Sequence, residues 1–202
     1  MNALQNGYTD LPPGKLAAVV TYLEMRGWDT PPGLSLPEAG ASEFSLRRVE
    51  KPELAWYRSL FRTVGENWLW SSRLRKDDEA LLAIIQHSAV DVHALSHEGR
   101  DMGILELDRR QFPEIELAFF GVAPELIGRG AGTFMMRRAI KIVRSWKPER
   151  FWLHTCTLDH PKAIGFYRKA GFTPYRRAVE ILDDPRVAGH LPRTAAPHIP
   201  VI

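Results

Sequence analysis

Cysteine is almost absent. Cys156 stands alone in 202 residues, so no internal disulfide can form and the class of small, disulfide-stapled secreted proteins is excluded. Long apolar runs are missing too: Leu16–Leu23 meets Glu24 and Arg26 well short of the ~18 residues of a membrane span. Met1–Gly14 has neither the basic nor the apolar region of a secretory leader. Charge of one sign is in no large excess, the formal net charge being +3. Residues 1–100 carry 11 Lys/Arg against 13 Asp/Glu, and residues 101–202 carry 16 against 11. That mild basic bias in the second half suits an anionic ligand but also an ordinary solvated surface. The seven histidines are scattered and no cysteines are paired, so no metal site is expected. What remains is a soluble cytoplasmic globular protein of one domain, a size that buries about 70% of its unfolded surface.

The hydrophobic pattern divides this domain into strands and helices. Leu16–Met25 is rich in β-branched residues and reads as a first strand, which the adjacent prolines of Asp29–Gly33 end. Phe44–Val49 reads as a short strand. Pro52 opens a helix to about Val64, with Leu54, Tyr57, Leu60, Phe61 and Val64 on one face. Asp77–His87 predicts a second helix with Asp77, Asp78 and Glu79 at its positive end. Ala89–Ser96 and Met102–Asp108 form a hairpin about a turn containing Gly99. In Glu114–Val122, Ile115, Leu117 and Phe119 alternate with Glu114, Glu116 and Ala118. A long helix follows at about Ala131–Trp146, then a strand at Phe151–Thr155, a helix at Pro161–Ala170 and a last strand at Phe172–Leu182. Residues 1–188 thus make one mixed α/β domain. The tail Gly189–Ile202, with Pro192, Pro197 and Pro200, reads as a loosely packed or docked extension.

The chemistry gathers in the second half. Gly128-Arg129-Gly130-Ala131-Gly132-Thr133 follows a strand and opens a helix, where unpaired N–H groups and glycine backbone suit a phosphate. It is no Rossmann fingerprint, because Thr133 stands where the third glycine is required, and no Gly-Lys-Ser/Thr triplet makes a Walker loop. A bare strand-to-helix turn is the other reading. A second constellation, Asp159-His160-Pro161-Lys162-Ala163-Ile164-Gly165-Phe166-Tyr167-Arg168-Lys169-Ala170-Gly171-Phe172, makes a helix that stops at a glycine.

Together these segments resemble the GNAT N-acetyltransferase superfamily. Its pattern is Val-x-Pro, then Gln/Arg-x-x-Gly-x-Gly/Ala, then Asn-x-x-Ala-x-x-x-Tyr-x-x-x-Gly-Phe. Here Val122-Ala123-Pro124, the run from Ile127 through Gly130 to Gly132, and His160, Ala163, Tyr167, Gly171 and Phe172 fill those slots, over about residues 90–177. Ile127 stands where the family has Gln or Arg, and His160 where it has Asn.

The resemblance implies a central, mostly antiparallel sheet flanked by helices, with a splayed parallel pair formed by Glu114–Val122 and Phe151–Thr155. It implies acetyl-CoA as co-substrate and no metal. The pantetheine arm would pair with backbone at Phe120, Gly121 and Val122, and Ile127, Gly128, Arg129, Gly130, Ala131, Gly132 and Thr133 would cradle the pyrophosphate. His160, Ala163 and Tyr167 would complete the cofactor site. Tyr167 falls on the general-acid position, although a packed aromatic is its other reading. Glu116 matches a strand glutamate that serves as base in some members, with Glu114 or a water as competitors. His154 and Cys156 face one side of their strand, which fits core better than a covalent nucleophile.

Trp56, Tyr57, Trp68 and Trp70, with Glu66 and Asn67, either fill the core or line the acceptor pocket. The implied acceptor is the primary amine of a small molecule. A peptide or protein N-terminal amine, or a non-catalytic acyl-CoA sensor, are the alternatives. Arg137, Arg138, Lys141 and Arg144 put some like charges on one helix face, but without a reading motif no nucleic-acid partner is expected, and no membrane partner either. A homodimer is compatible with the resemblance.

Overall fold

The computed structural model describes residues 6–27 and 43–202, so the Asp29–Gly33 break lies outside the described residues. In chain order it forms β1 (Lys15–Met25), β2 (Phe44–Arg48), α1 (Leu54–Gly65), α2 (Asp78–Ile85), β3 (Val90–His97), β4 (Arg100–Asp108), β5 (Glu114–Val122), α3 (Ala131–Ser145), β6 (Arg150–Cys156), α4 (Ala163–Lys169) and β7 (Thr173–Asp183). Local chemistry accounts for several boundaries. Asp77 caps α2 by accepting the Ala80 N–H at 2.8 Å, satisfying a donor that the helix itself cannot. Glu98 and Gly99 both have positive φ, 49° and 76°, the twist that a two-residue hairpin turn needs. Pro52 is not the first residue of α1; Glu53 holds the cap position, and the Pro52 carbonyl instead accepts from Gln86 Nε2.

The seven described strands make one sheet in the order β2-β3-β4-β5-β6-β1-β7. Every neighbouring pair is antiparallel except β5 and β6. The N-terminal strand is therefore interior: it pairs with β6 on one side and β7 on the other. Its burial is uneven along the run: Ala18, Val20, Leu23 and Met25 are buried, whereas Val19 is exposed.

Each sheet face has its own core. Leu23, Met25, Ile115, Leu117, Phe151 and Leu153 pack with residues of α3 and α4 on one face. On the other, Tyr57, Leu60, Phe61 and Val64 of α1 and Leu81 and Ile85 of α2 pack on Val92 and Ile104. The helices of this second face lie over β3, β4 and β5. Beyond them the start of β1 is covered by the C-terminal segment, Leu16 packing with Leu191 and Ala195, and at the end of β1 Tyr22 meets Trp152 and His154 of β6 as a ring cluster.

A charge is buried in the second core. Glu106 of β4 is 0% exposed, accepting from the Tyr57 hydroxyl on one oxygen and from Arg73 Nη2 on the other. The Arg73 guanidinium also lies 4.9 Å from the Phe119 ring centroid. A second arginine, Arg186, pins the C-terminal segment: it pairs with Asp184 and donates to the carbonyls of Ala195, Ala196 and Ile199. Leu191, Ala195 and Ala196 are buried there against Leu69.

Replacing Glu106 with Ala would leave the Arg73 cation buried without its counter-charge. Loss of about 3–5 kcal/mol of unfolding free energy is expected in urea denaturation, the usual cost of breaking a buried pair from one side.

Candidate active site

The parallel pair is short. Glu114, Ile115 and Glu116 are in register with Arg150, Phe151 and Trp152, and the ladder ends there. On the opposite edge of β5 the register slips, Leu107 facing Leu117 but Glu106 facing Phe119, so Ala118 is bulged out of the β4–β5 ladder. A bulge bends its strand and sharpens the twist, which carries the rest of β5 away from β6. It also overturns the strict alternation expected from the sequence. Ile115 and Leu117 lie in the α3/α4 core. Phe119, expected beside them, turns to the α1 face against Phe61 at 4.8 Å and Trp70 at 5.3 Å between ring centroids. Phe120 takes the α4 face, against Phe166 and Tyr167. From Leu117 to Val122, the edge of β5 facing β6 has no ladder partner among the described residues.

Beyond Val122 the chain makes one 3-10 turn, Pro124–Leu126, and enters the glycine loop. Gly128 and Gly130 have φ of 83° and 87°, a conformation costly for residues with a Cβ. The Ile127 and Arg129 N–H groups are spent on Pro124 and Leu126, and the helix ladder begins with Phe134 N–H to Gly130 O. Between them, the N–H groups of Gly128, Gly130, Ala131, Gly132 and Thr133 have no backbone acceptor among the described residues. Such unspent donors at the start of a 15-residue helix suit an anion. The Ile127 side chain is 41% exposed and leaves the loop's backbone open. Arg129 is paired with Glu43 at 3.1 Å.

Tyr167 approaches the gap from the α4 face. Its ring is buried against Phe120, Phe166 and Phe172. Burial, then the nearby Asp159 carboxylate, push its phenol well above the ordinary value. Asp159 was not singled out by sequence reasoning, yet it ties the end of β6 together. It accepts from Thr155 Oγ1 at 2.7 Å, from the Cys156 N–H at 2.9 Å and from Trp70 Nε1 at 3.0 Å. The signal available was its place just before His160-Pro161, where a short acceptor commonly caps a turn.

The carboxylates on the opposite face have separate fates. Glu114 and Glu24 share Arg150, at 3.3 and 2.7 Å, so Glu114 is held away from the gap. Glu116 faces His154, Oε1 to Nδ1 at 3.5 Å. His154 is not a core residue as its apolar strand suggested; its side chain is 47% exposed. Cys156 is half-buried, and burial, with Asp159 beside it, pushes its thiol up to about 11. That opposes a thiolate nucleophile. Among the described residues no group of three or more His, Cys, Asp or Glu could hold a metal ion, and no helix is long and apolar enough to cross a membrane.

The fold has counterparts in known proteins. The model of the acetyltransferase (GNAT) family matches residues 53–172. The chain belongs to that family. A search of curated proteins finds no match. Among solved structures, a GCN5-related N-acetyltransferase from Sphaerobacter thermophilus is similar at 16% identity and TM-score 0.61, over 83% of this chain and 52% of that one. An aminoglycoside acetyltransferase from an uncultured soil metagenomic sample gives 16% and 0.56, over 68% of this chain and 93% of that one. A functionally unknown conserved protein from Staphylococcus epidermidis gives 14% and 0.57, over 85% of this chain, which spans 63% of that protein's length. At such identities the likeness speaks for the fold.

The GNAT-family match leaves out β1, β2 and β7 but includes both strands of the gap and α1. Of the four aromatic residues flagged near α1, two belong to packing: Tyr57 to the Glu106 network, and Trp56, which donates to Asp101 at 2.9 Å. The other two border the gap. Trp70 spans it, packed on Phe119 and bonded to Asp159, and Trp68 meets His160 edge-on at 5.2 Å. His160 Nδ1 accepts the Lys162 N–H at 3.1 Å, closing the turn into α4, which begins at Ala163. Gly121 lies against α1 and Trp70: a Cβ there would lie 2.5 Å from Val64 Cγ1 and 3.0 Å from Trp70 Cη2.

Two outcomes are expected. Gly121→Ala forces Val64 and Trp70 apart and costs about 1–3 kcal/mol, read as a lower Tm. Iodoacetamide at pH 8 alkylates Cys156 on the order of 100-fold more slowly in the folded than in the denatured protein, because the folded thiol is so little ionised.

Proposed function

We propose that the chain transfers an acetyl group from acetyl-CoA to a primary amine of a small molecule, by direct attack with both substrates bound. The observation that carries this reading is the parting of β5 and β6 beside the unspent N–H groups of the α3 loop. An unpaired strand edge at Phe120–Val122 suits an extended amide-bearing arm, which binds as an added strand. The Gly128–Thr133 donors suit a pyrophosphate. Ile127 costs little there, since the grip is by backbone. His160 and Ala163, at the entry to α4, stand where the pattern puts further cofactor contacts.

Bound acetyl-CoA supplies an activated acyl carbon and a thiolate leaving group. The chain's own residues then have two protons to manage. Tyr167 stays protonated throughout the working pH range, its phenol being raised by burial. It donates its proton to the thiolate sulfur as the C–S bond breaks, neutralising the leaving group. The ammonium proton of the acceptor leaves on the other sheet face, where Glu116 stands at the last paired position. Trp70 borders that side, packed on Phe119 and bonded to Asp159.

Calorimetric titration with acetyl-CoA, and with NADH in parallel, tests the cofactor. Binding of acetyl-CoA alone is expected, and binding of neither would overturn the reading. Tyr167→Phe should lower kcat on the order of 100-fold, with acetyl-CoA affinity and Tm retained. Unchanged turnover would remove Tyr167 from the mechanism.

A further inference from the structure

One carboxylate–imidazole contact spans the parting strands on the sheet face opposite α3 and α4. His154 Nδ1 of β6 lies 3.5 Å from Glu116 Oε1 of β5. Glu116 is the last β5 residue in register with β6, and His154 is two residues beyond its partner Trp152. The pair thus straddles the apex of the gap. Ile115, Leu117, Phe151, Leu153 and Tyr167 share the core of the other face, and Glu116 and His154 alternate with those strand residues. Acid and base candidates therefore address the gap from opposite sides of the sheet.

The geometry also distinguishes the two imidazole nitrogens. A carboxylate facing Nδ1 favours the tautomer with its proton there and leaves the lone pair on Nε2. No described residue hydrogen-bonds Nε2, and with 47% of the side chain exposed against 26% for Glu116, the imidazole is the more accessible group of the two. The ring is held in place by Tyr22 at 5.7 Å and Trp152 at 6.3 Å between centroids.

Resting on the transferase reading above, we propose that His154 Nε2, rather than a Glu116 oxygen, takes the proton of the acceptor ammonium, and that Glu116 is the positioning carboxylate behind it. The ammonium N–H bond breaks, its electron pair stays on nitrogen for the attack, and the proton arrives on Nε2. The resulting imidazolium faces Glu116, and its exposed side returns the proton to solvent.

The groups facing His154 favour that charge. The carboxylates are Glu116 from β5, Asp159 from the turn after β6 and Glu180 from β7, while the Tyr22 ring of β1 and the un-ionised Cys156 thiol of β6 add no charge. Arg176 of β7 is drawn over the Tyr22 ring at 4.7 Å, and Arg150 is held by Glu24 and Glu114. The facing Glu116 carboxylate first, then the charges of Asp159 and Glu180, raise the imidazole above its ordinary value against the effect of burial. A base must be unprotonated to act, so kcat/KM should rise with pH through the His154 titration.

The test has two arms. Long-range proton–nitrogen NMR of the free protein reads the His154 tautomer and titration without any substrate. The Nδ1–H tautomer and a pKa above the ordinary imidazole range are expected, and Glu116→Gln should lower that pKa. An Nε2–H tautomer, or a titration that Glu116→Gln leaves in place, would overturn the proposal. The second arm is the pH profile of kcat/KM, followed as free-thiol release from acetyl-CoA with phenethylamine and spermidine as acceptor probes. Glu116→Gln should move its acidic limb to lower pH. His154→Gln should abolish that limb and lower kcat/KM on the order of 100-fold at neutral pH, with acetyl-CoA affinity unchanged. A His154→Gln protein keeping the wild-type limb would return the base to Glu116. Failure of the wild type to bind acetyl-CoA would instead sink the transferase reading, while the NMR arm still reports whether the pair exists.

Discussion

Three residue pairs hold β5 to β6, and everything at the site depends on their being only three. Past Glu116 and Trp152 the strands part, and the bulge at Ala118 supplies the bend. A ladder that continued would spend the backbone groups of Phe120–Val122 on β6 and leave no edge for a ligand. It would also keep Phe119 and Phe120 on the faces that simple alternation assigns, taking Phe119 from Trp70 and Phe120 from Tyr167. One extra residue in one strand thus opens the gap and lines both of its sides.

The surrounding structure braces that opening. Buried Glu106, opposite Phe119 in the β4–β5 register, binds α1 through Tyr57 and the following segment through Arg73. Trp70 then reaches across to Asp159, which gathers the end of β6. Strands that separate lose ladder hydrogen bonds, and side-chain bonds from outside the sheet take over the work of holding them apart. β1 contributes from the far side: paired along both edges, it anchors β6 up to Cys156, so the bending falls to β5.

Much of this was legible in the residues. The strands and helices followed from periods of two and 3.6, because burial on one face imposes them. The glycine loop was legible because few residues other than glycine tolerate the positive φ found at 128 and 130. Tyr167 and Glu116 came from motif spacing. Phe119 was misread because a bulge leaves the composition of a strand unchanged. His154 looked like core because its neighbours Phe151 and Leu153 are apolar, and nothing local says that the helices over that face stop short of β6. Asp159 and Arg73 were overlooked because their partners lie up to 89 residues away in the chain.

By itself the sequence determined the element order, the family and the glycine turn before α3, which rest on local periodicity and on motifs read along the chain. Only the tertiary structure decided that the first strand lies between the sixth and the last, that Glu114 is held by Arg150, and that Glu116 meets His154. Those outcomes depend on which strands become neighbours and where a ladder ends. Both are settled by packing among distant segments, which leaves no mark on local periodicity.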